Sequence, residues 1–307
     1  MKVAVVGATG VVGETILRVL DERHVPVESV GLFASRDRGN VHATTDEALA
    51  EYDAVFFASS EDASERYAPA LLDRGAIVID NSSTFRMREG VPLIVPEVNP
   101  HALNPGDRLF PVGNCTAIIL CVALAPVRDT AGLASVNVAT YQAISGAGRA
   151  ALEEFDRGAG NVVRNVVPQV GSFGEGGYTG EECKVAEETR KVLELPDLPV
   201  YATAVRVPVR TAHSEAVFFE TQRATTLEDL AAAFERAPGV VYHPQGIVTP
   251  REVEGTDLVH VARLRRCGDD KHFQMWIVGD QLRKGAATNG VQILELLMSR
   301  AKADRGS

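Results

Sequence analysis

No apolar stretch in this sequence reaches the roughly 18 to 20 residues that cross a bilayer; runs such as 117–125 fall well short. A membrane span is therefore not expected. Positive charge is also scarce: 31 Lys and Arg stand against 41 Asp and Glu, a formal net charge of -10, whereas a nucleic-acid backbone asks for a basic surplus on some face. Cysteine is limited to positions 115, 121, 183 and 267 with no C-x-x-C pair, so neither a disulfide framework nor a structural metal site is expected. Internal repeats and low-complexity tracts are missing. Met1 leads straight into the apolar run 2–6, leaving no room for a charged n-region followed by a separate apolar segment, and a cytoplasmic location is expected. What remains is an ordinary globular composition, 45% hydrophobic and 23% charged. A length of 307 residues suits two domains.

The chain opens with an apolar run at 3–6, the glycine-rich stretch Gly7-Ala8-Thr9-Gly10-Val11-Val12-Gly13, and then an amphipathic segment at 14–20. This reads as buried strand, tight turn and helix. Further apolar runs at 27–33, 54–58, 77–80 and 93–95 alternate with helix-like segments around 47–51 and 63–73, the pattern of parallel strands covered on both faces. Beyond about residue 130 the strands at 135–143, 203–208, 213–221, 258–264 and 273–279 alternate in character, which predicts an antiparallel sheet. The stretch 161–180 is rich in Gly and Asn and reads as a long loop between two helices, of the kind that often carries function. The segment 290–300 has helical spacing and is expected to pack back on the first domain. The fold class predicted is α/β: a Rossmann-type doubly wound parallel sheet plus a second α+β domain with a largely antiparallel sheet.

Glycines at 7, 10 and 13 between a strand and a helix let backbone N–H groups and the positive helix end approach a pyrophosphate. The alternative is a turn that needs glycine for backbone reasons alone. Where the second strand ends, an NAD-preferring enzyme usually shows Asp or Glu for the ribose hydroxyls; here the chain reads Ala34-Ser35-Arg36. A hydroxyl and a guanidinium suit a 2′-phosphate, so NADP is favoured and NAD stays open. Asp37 follows at once and is a candidate partner for Arg36 or Arg38.

Gly113-Asn114-Cys115-Thr116-Ala117 places a thiol at the first turn of a buried apolar helix. Helix N-termini depress thiol pKa values, and the free N–H groups of such a turn stabilise an oxyanion on an attacked carbonyl. Cys121, further into the apolar helix, fits an inert small hydrophobe.

Taken in order, the 7–13 turn, Asn114-Cys115-Thr116, the segment 140–148 (TYQAISGAG), the segment 206–215 (RVPVRTAHSE) and the segment 282–289 (LRKGAATN) resemble aspartate-semialdehyde dehydrogenase nearly end to end. The chain is somewhat short for that family. Thr116 stands where Ser is more usual, Gly113 where Pro is more usual, and the turn around Arg36 is contracted. The resemblance implies that Cys115 attacks the aldehyde of L-aspartate 4-semialdehyde, that His213 takes the proton as acid–base partner and assists hydride departure, and that phosphate opens the resulting thioester to L-4-aspartyl phosphate. It implies that Gln142 orients the substrate beside the thiol and that Asn114 contacts it. Arg206 would hold the substrate carboxylate, Glu181 its ammonium group, and Arg86 and Lys184 inorganic phosphate. Gly7, Thr9, Gly10, Val11, Val12, Gly13, Ser35, Arg36, Ser145, Gly146 and Asn289 would line the NADP site. Outside the family pattern, lone Arg, Lys and Glu residues are mostly solvated charges, and the basic pair Arg283-Lys284 reads as exposed.

The implied division is a cofactor domain at 1–114 plus 285–307 and a catalytic and dimerisation domain at 115–284, in a homodimer or homotetramer with no metal. Two other readings compete: a related phosphorylating reductase such as that for N-acetylglutamyl phosphate, which would not need Glu181 for a free ammonium, and a non-catalytic member, which would lack Cys115 or His213.

Overall fold

The computed structural model describes residues 1–306, with side chains through 301. By packing, the chain falls into two compact units, Met1–Gly113 with the chain from Ala286 onward, and Asn114–Gly285.

In the first unit short β-branched and aromatic runs form β1 (Lys2–Val6), β2 (Ser29–Ala34), β3 (His42–Ala43), β4 (Ala54–Phe57), β5 (Ile77–Asp80) and β6 (Leu109–Pro111), with α1 (Val11–Glu22), α2 (Asp46–Leu49) and α3 (Glu61–Asp73) between them. The sheet order is β3-β2-β1-β4-β5-β6 and every pairing is parallel. All four residues of β4 are buried, as expected for a strand covered on both faces. Strand order reverses between β1 and β4, the topological switch point of a doubly wound sheet.

The run 93–95 is not the strand its composition predicts. Leu93 and Val95 are buried, but Asn99 occupies their backbone: Val95 N–H donates to Asn99 Oδ1 at 2.8 Å, and Asn99 Nδ2 donates to Leu93 O at 3.0 Å. The sheet edge beside β5 is taken by β6 instead. Apolar character reports burial; it does not say which segment a ladder accepts.

The second unit opens with α4 (Cys115–Ala131), followed by β7 (Leu133–Gln142), α5 (Arg149–Asp156), α6 (Gly180–Leu193), β8 (Val200–Arg206), β9 (His213–Thr221), α7 (Leu227–Arg236), β10 (Val240–His243), α8 (Pro250–Val253), β11 (Val259–Arg266) and β12 (His272–Gly279). Its sheet order is β10-β11-β12-β9-β7-β8. The three inner pairings are antiparallel, while β7–β8 and β10–β11 are parallel. The sheet is therefore mixed, and β10 is an edge strand absent from the predicted set, although Val240, Val241 and Tyr242 are residues that favour strands. Helix α4 is apolar on nearly every side, the mark of a buried helix; it packs on α6, α7 and strands β7, β9, β11 and β12.

Helix α9 (Thr288–Gly306) belongs to the first unit, where it packs on α1 and β5. Gly290 permits that contact: a Cβ there would lie 3.3 to 3.4 Å from Ile79, Phe56 and Val112. On the surface Arg23 pairs with Glu295 at 2.7 Å.

Candidate active site

In the second unit Asn114 is the N-cap of α4, its Oδ1 accepting the N–H groups of Thr116 at 3.0 Å and Ala117 at 3.2 Å. Asn is among the best residues for this position, and it puts Cys115 at the first helical residue, where the helix dipole favours a thiolate. The cap also corrects an expectation: two of the amides that a bare helix end would offer to an oxyanion are already donated to Asn114. From α6, buried Glu188 accepts the N–H of Asn114 through a short hydrogen bond. Gly285 lies against the nucleophile, since a Cβ there would be 2.8 Å from Cys115 Cβ.

His213, the first residue of β9, is fully buried, with Nε2 3.5 Å from Cys115 Sγ. Its Nδ1 accepts the backbone N–H of Ala143 at 3.0 Å. A backbone amide only donates, so the neutral ring carries its proton on Nε2 and aims it at the sulfur. Burial first, and then the Arg206 guanidinium, hold the His213 pKa well below its ordinary value. Toward Cys115 the ring thus presents a donor, whereas the family resemblance implies that it takes a proton. The residue before it, Ala212, sits at φ +67, a left-handed conformation that costs a non-glycine residue roughly 1 to 2 kcal/mol.

Gln142 ends β7 and is buried; its Nε2 donates to Thr116 Oγ1 at 3.0 Å and Glu181 Oε1 at 2.7 Å. Glu181 Oε1 also accepts from Asn114 Nδ2 at 3.0 Å. The Glu181 carboxylate is thereby aimed by neutral amides and keeps acceptor capacity for a cationic group. Arg206 closes β8 and donates from Nη1 to Ala143 O at 2.7 Å. Burial lowers its pKa, while the Cys115 thiol and Glu181 pull it back up. A Cβ on Gly146 would lie 3.3 Å from both Arg206 Nη1 and His213 Cε1, so a larger residue would press on both. Lys184 stands one turn after Glu181 on α6 and is half-buried. Beside Arg206 a cleft of about 230 Å³ is walled by Ile144, Phe155, Val162 and Val170, the last two from the Gly- and Asn-rich loop 161–180.

The second unit therefore brings Cys115, His213, Gln142, Glu181, Arg206, Asn114 and Gly146 into one network, with Ser145 beside it. Reading the sequence missed Glu188, Gly285 and Gln281. Glu188 falls seven residues after Glu181 on one helix face, a signal that was available. Gln281 immediately precedes the 282–289 motif and Gly285 lies inside it. Arg283 and Lys284 are corrected: Lys284 is fully buried, and Arg283 Nε donates to Asp257 at 2.7 Å. Cys121 is fully buried, which pushes its thiol far above the ordinary range.

The first unit carries the other candidates. Gly7 has φ +84, and a Cβ there would lie 2.3 Å from Ala58 O; one on Gly13 would lie 2.2 Å from Gly7 O. No side chain caps α1 at Gly10; Gly10 N–H is donated within the turn to Gly7 O at 2.9 Å, and the amides at the helix N-terminus that follow Thr9 and Gly10, those of Val11, Val12 and Gly13, are placed as a pyrophosphate requires. Ser35 and Arg36 directly follow β2 and are exposed. Asp37 does not pair with either neighbouring Arg: its Oδ1 accepts the Ala43 N–H at 3.0 Å, and Arg36 makes no ion pair among the described residues. Arg86 is buried and donates from Nη2 to Asn81 O at 2.9 Å. Asn289 is buried and donates from Nδ2 to Ile94 O at 2.9 Å.

Comparison with known proteins adds two family matches: semialdehyde dehydrogenase, NAD binding domain, over residues 2–105, and semialdehyde dehydrogenase, dimerisation domain, over residues 124–284. The chain is 38% identical to the aspartate-semialdehyde dehydrogenase of Aquifex aeolicus (97% of this chain, 98% of that one) and 37% identical to that of Bacillus subtilis (97% of each). Among solved structures it is similar to aspartate semialdehyde dehydrogenase II from Vibrio cholerae complexed with ASA, with 36% identity, a TM-score of 0.92 and coverage of 97% and 98% of the two chains.

Proposed function

Because the chain belongs to the aspartate-semialdehyde dehydrogenase family, a family of oxidoreductases with a nicotinamide-binding domain, we propose that it interconverts L-aspartate 4-semialdehyde and L-4-aspartyl phosphate through a thioester on Cys115. The observation that carries this reading is the Cys115 Sγ at the start of α4, 3.5 Å from an imidazole nitrogen that holds a proton.

A thiolate at that position attacks the aldehyde carbon, a C–S bond forms, and the carbonyl oxygen becomes an alkoxide. His213 Nε2–H stabilises first the thiolate and then this alkoxide. When bound, the nicotinamide accepts the hydride in this direction and returns it in the other. The C=O then reforms as a thioester, and a phosphate oxygen displaces the thiolate. Once the thiol is ionised no further base is needed, which suits a buried neutral His213. Arg206 binds the substrate carboxylate, since its fork of donors matches two oxygens, and Glu181 receives the ammonium group. Gln142 and Asn114 hold Glu181 in place. Arg86 and Lys184 bind phosphate.

The turn at 7–13, with Ser35, Arg36, Ser145, Gly146 and Asn289, holds the dinucleotide. The cofactor is NADP: directly after β2, Arg36 is exposed and makes no ion pair among the described residues, leaving its guanidinium for a 2′-phosphate, and Asp37 is engaged elsewhere. The first unit is the cofactor domain, and the second is the catalytic domain through which the protein forms a homodimer or a larger homo-oligomer in the cytoplasm.

The test is oxidation of L-aspartate 4-semialdehyde with NADP and then NAD, each with and without phosphate, followed by absorbance of the reduced nicotinamide. Phosphate-dependent reduction is expected. Reduction indifferent to phosphate would sink the thioester route, and no reaction with either cofactor would sink the substrate assignment.

A further inference from the structure

Gln281 follows β12 two residues after its end and is almost completely buried, yet it belongs to no group given a role above. Its Oε1 accepts the N–H of Ala212 at 2.8 Å, and its Nε2 donates to Ser145 Oγ through a short hydrogen bond. One carboxamide thus joins two segments that both bear on His213. The first is the turn into β9, where Ala212 adopts φ +67 immediately before the histidine. The second is the segment 143–148. Its Ala143 N–H holds Nδ1, its Gly146 lies against the imidazole, and its Ile144 and Ser145 amides bond Val209 O and Arg210 O.

Gln281 is itself immobilised. The carboxylate of the preceding Asp280 accepts the N–H groups of Gly255, Leu282 and Arg283 at 2.8, 2.8 and 3.2 Å. Asp280 O also accepts the N–H of Gly285, the glycine that lies against Cys115. The stretch 280–285 therefore abuts both members of the thiol–imidazole pair. An alanine has no intrinsic reason to hold a left-handed conformation, and a buried amide left unbonded there would favour its relaxation.

We propose that Gln281 is a positioning residue for His213: its carboxamide pins the left-handed Ala212 and, through Ser145, the 143–148 turn, and so fixes where Nε2 meets the Cys115 sulfur. This rests on the thiol–imidazole reading above. Methionine at 281 fills similar space without the acceptor or the donor, so it removes the pin and keeps the packing. Glutamate keeps an acceptor for the Ala212 N–H.

The test is the pH profile of iodoacetamide alkylation of Cys115, followed by peptide mass in enzyme free of nucleotide, so that any effect on cofactor binding is invisible to it. Q281M is expected to move the midpoint of the profile up by about one pH unit and slow alkylation at neutral pH roughly tenfold, as H213N does. Adding A212G to Q281M is expected to recover most of the loss, because glycine holds φ +67 without a Cβ penalty; Q281E is expected to keep close to the parent profile. A parent-like profile for Q281M beside a shifted H213N overturns the inference alone, as does a Q281M defect that A212G leaves untouched. If Q281M does not fold, a Q281E profile shifted as far as that of H213N overturns it. An unshifted H213N overturns the thiol–imidazole reading and this inference with it.

Discussion

Nδ1 of His213 accepts the Ala143 backbone N–H, and that single bond decides which end of the imidazole faces Cys115 with a proton. A ring held this way is a donor at Nε2 in its neutral form. Becoming an imidazolium would need a proton on Nδ1 and the loss of the Ala143 bond. The site is therefore arranged to favour negative charge on sulfur and oxygen, with the proton staying on the ring.

This arrangement makes stability depend on pH. In the unfolded chain His213 takes a proton near pH 6.5, while in the fold burial and then Arg206 keep its pKa well below that. As pH falls below the unfolded value, the unfolded state gains a proton that the folded state does not, and stability is lost by at most about 1.4 kcal/mol per pH unit. Urea melts between about pH 7 and pH 5 should show H213N losing stability less steeply than the parent. Parallel slopes would mean that His213 protonates freely in the fold.

The four thiols should not react alike. Burial drives the Cys121 thiol far up, whereas Cys115 stands at a helix start facing an N–H donor. Iodoacetamide at neutral pH should inactivate the enzyme in step with labelling of Cys115 and leave Cys121 unlabelled until denaturant is added. Exposed Cys183 also reacts, and its modification should not track activity. Early labelling of Cys121 would contradict the packing of α4.

Glu215, two residues after His213 on β9, is fully buried, and neither carboxyl oxygen has a hydrogen-bond partner among the described residues. Burial raises its pKa well above the carboxyl range. The unfolded state releases this proton as pH rises past the ordinary carboxyl value, while the folded state retains it. Stability conferred by the retained proton is full below the unfolded value and is lost as pH rises through the folded one. E215Q keeps the shape without an ionisable group, so it should melt above the parent at about pH 8 and close to it near pH 4. A variant less stable than the parent at both would show that the carboxylate is ionised in place.

Arg36 should set cofactor choice. Its guanidinium is exposed directly after β2 and makes no ion pair among the described residues, and hydrogen bonds to a charged group contribute about 1.5 to 3 kcal/mol. R36A is expected to lower kcat/KM for NADP roughly 10- to 100-fold and to leave NAD nearly unchanged. Equal losses with both cofactors would remove Arg36 from the 2′-phosphate.

Several features were legible along the chain because they are decided within a turn or two. A strand that meets Gly7 and Gly13 must turn sharply where a Cβ would strike the backbone, and an apolar segment led by Asn114 begins a helix. The run 213–221 alternates as a strand must and is β9 to the residue. The segment 93–95 failed the same kind of reading because Asn99, a few residues on, competes for its backbone, and no hydrophobic pattern reports that competition.

By itself, then, the order of residues determined the strand–glycine–helix opening, a largely antiparallel second sheet in outline, and a thiol at a helix start. Those follow from local sterics, capping and burial of apolar side chains. Only the tertiary structure decided that Glu188 reaches the site from α6, that His213 presents a proton, and that Gln281 meets Ala212 and Ser145 across separations of 69 and 136 residues. Hydrogen bonds between groups so far apart depend on how whole strands and helices pack, and no local preference of the chain selects their partners.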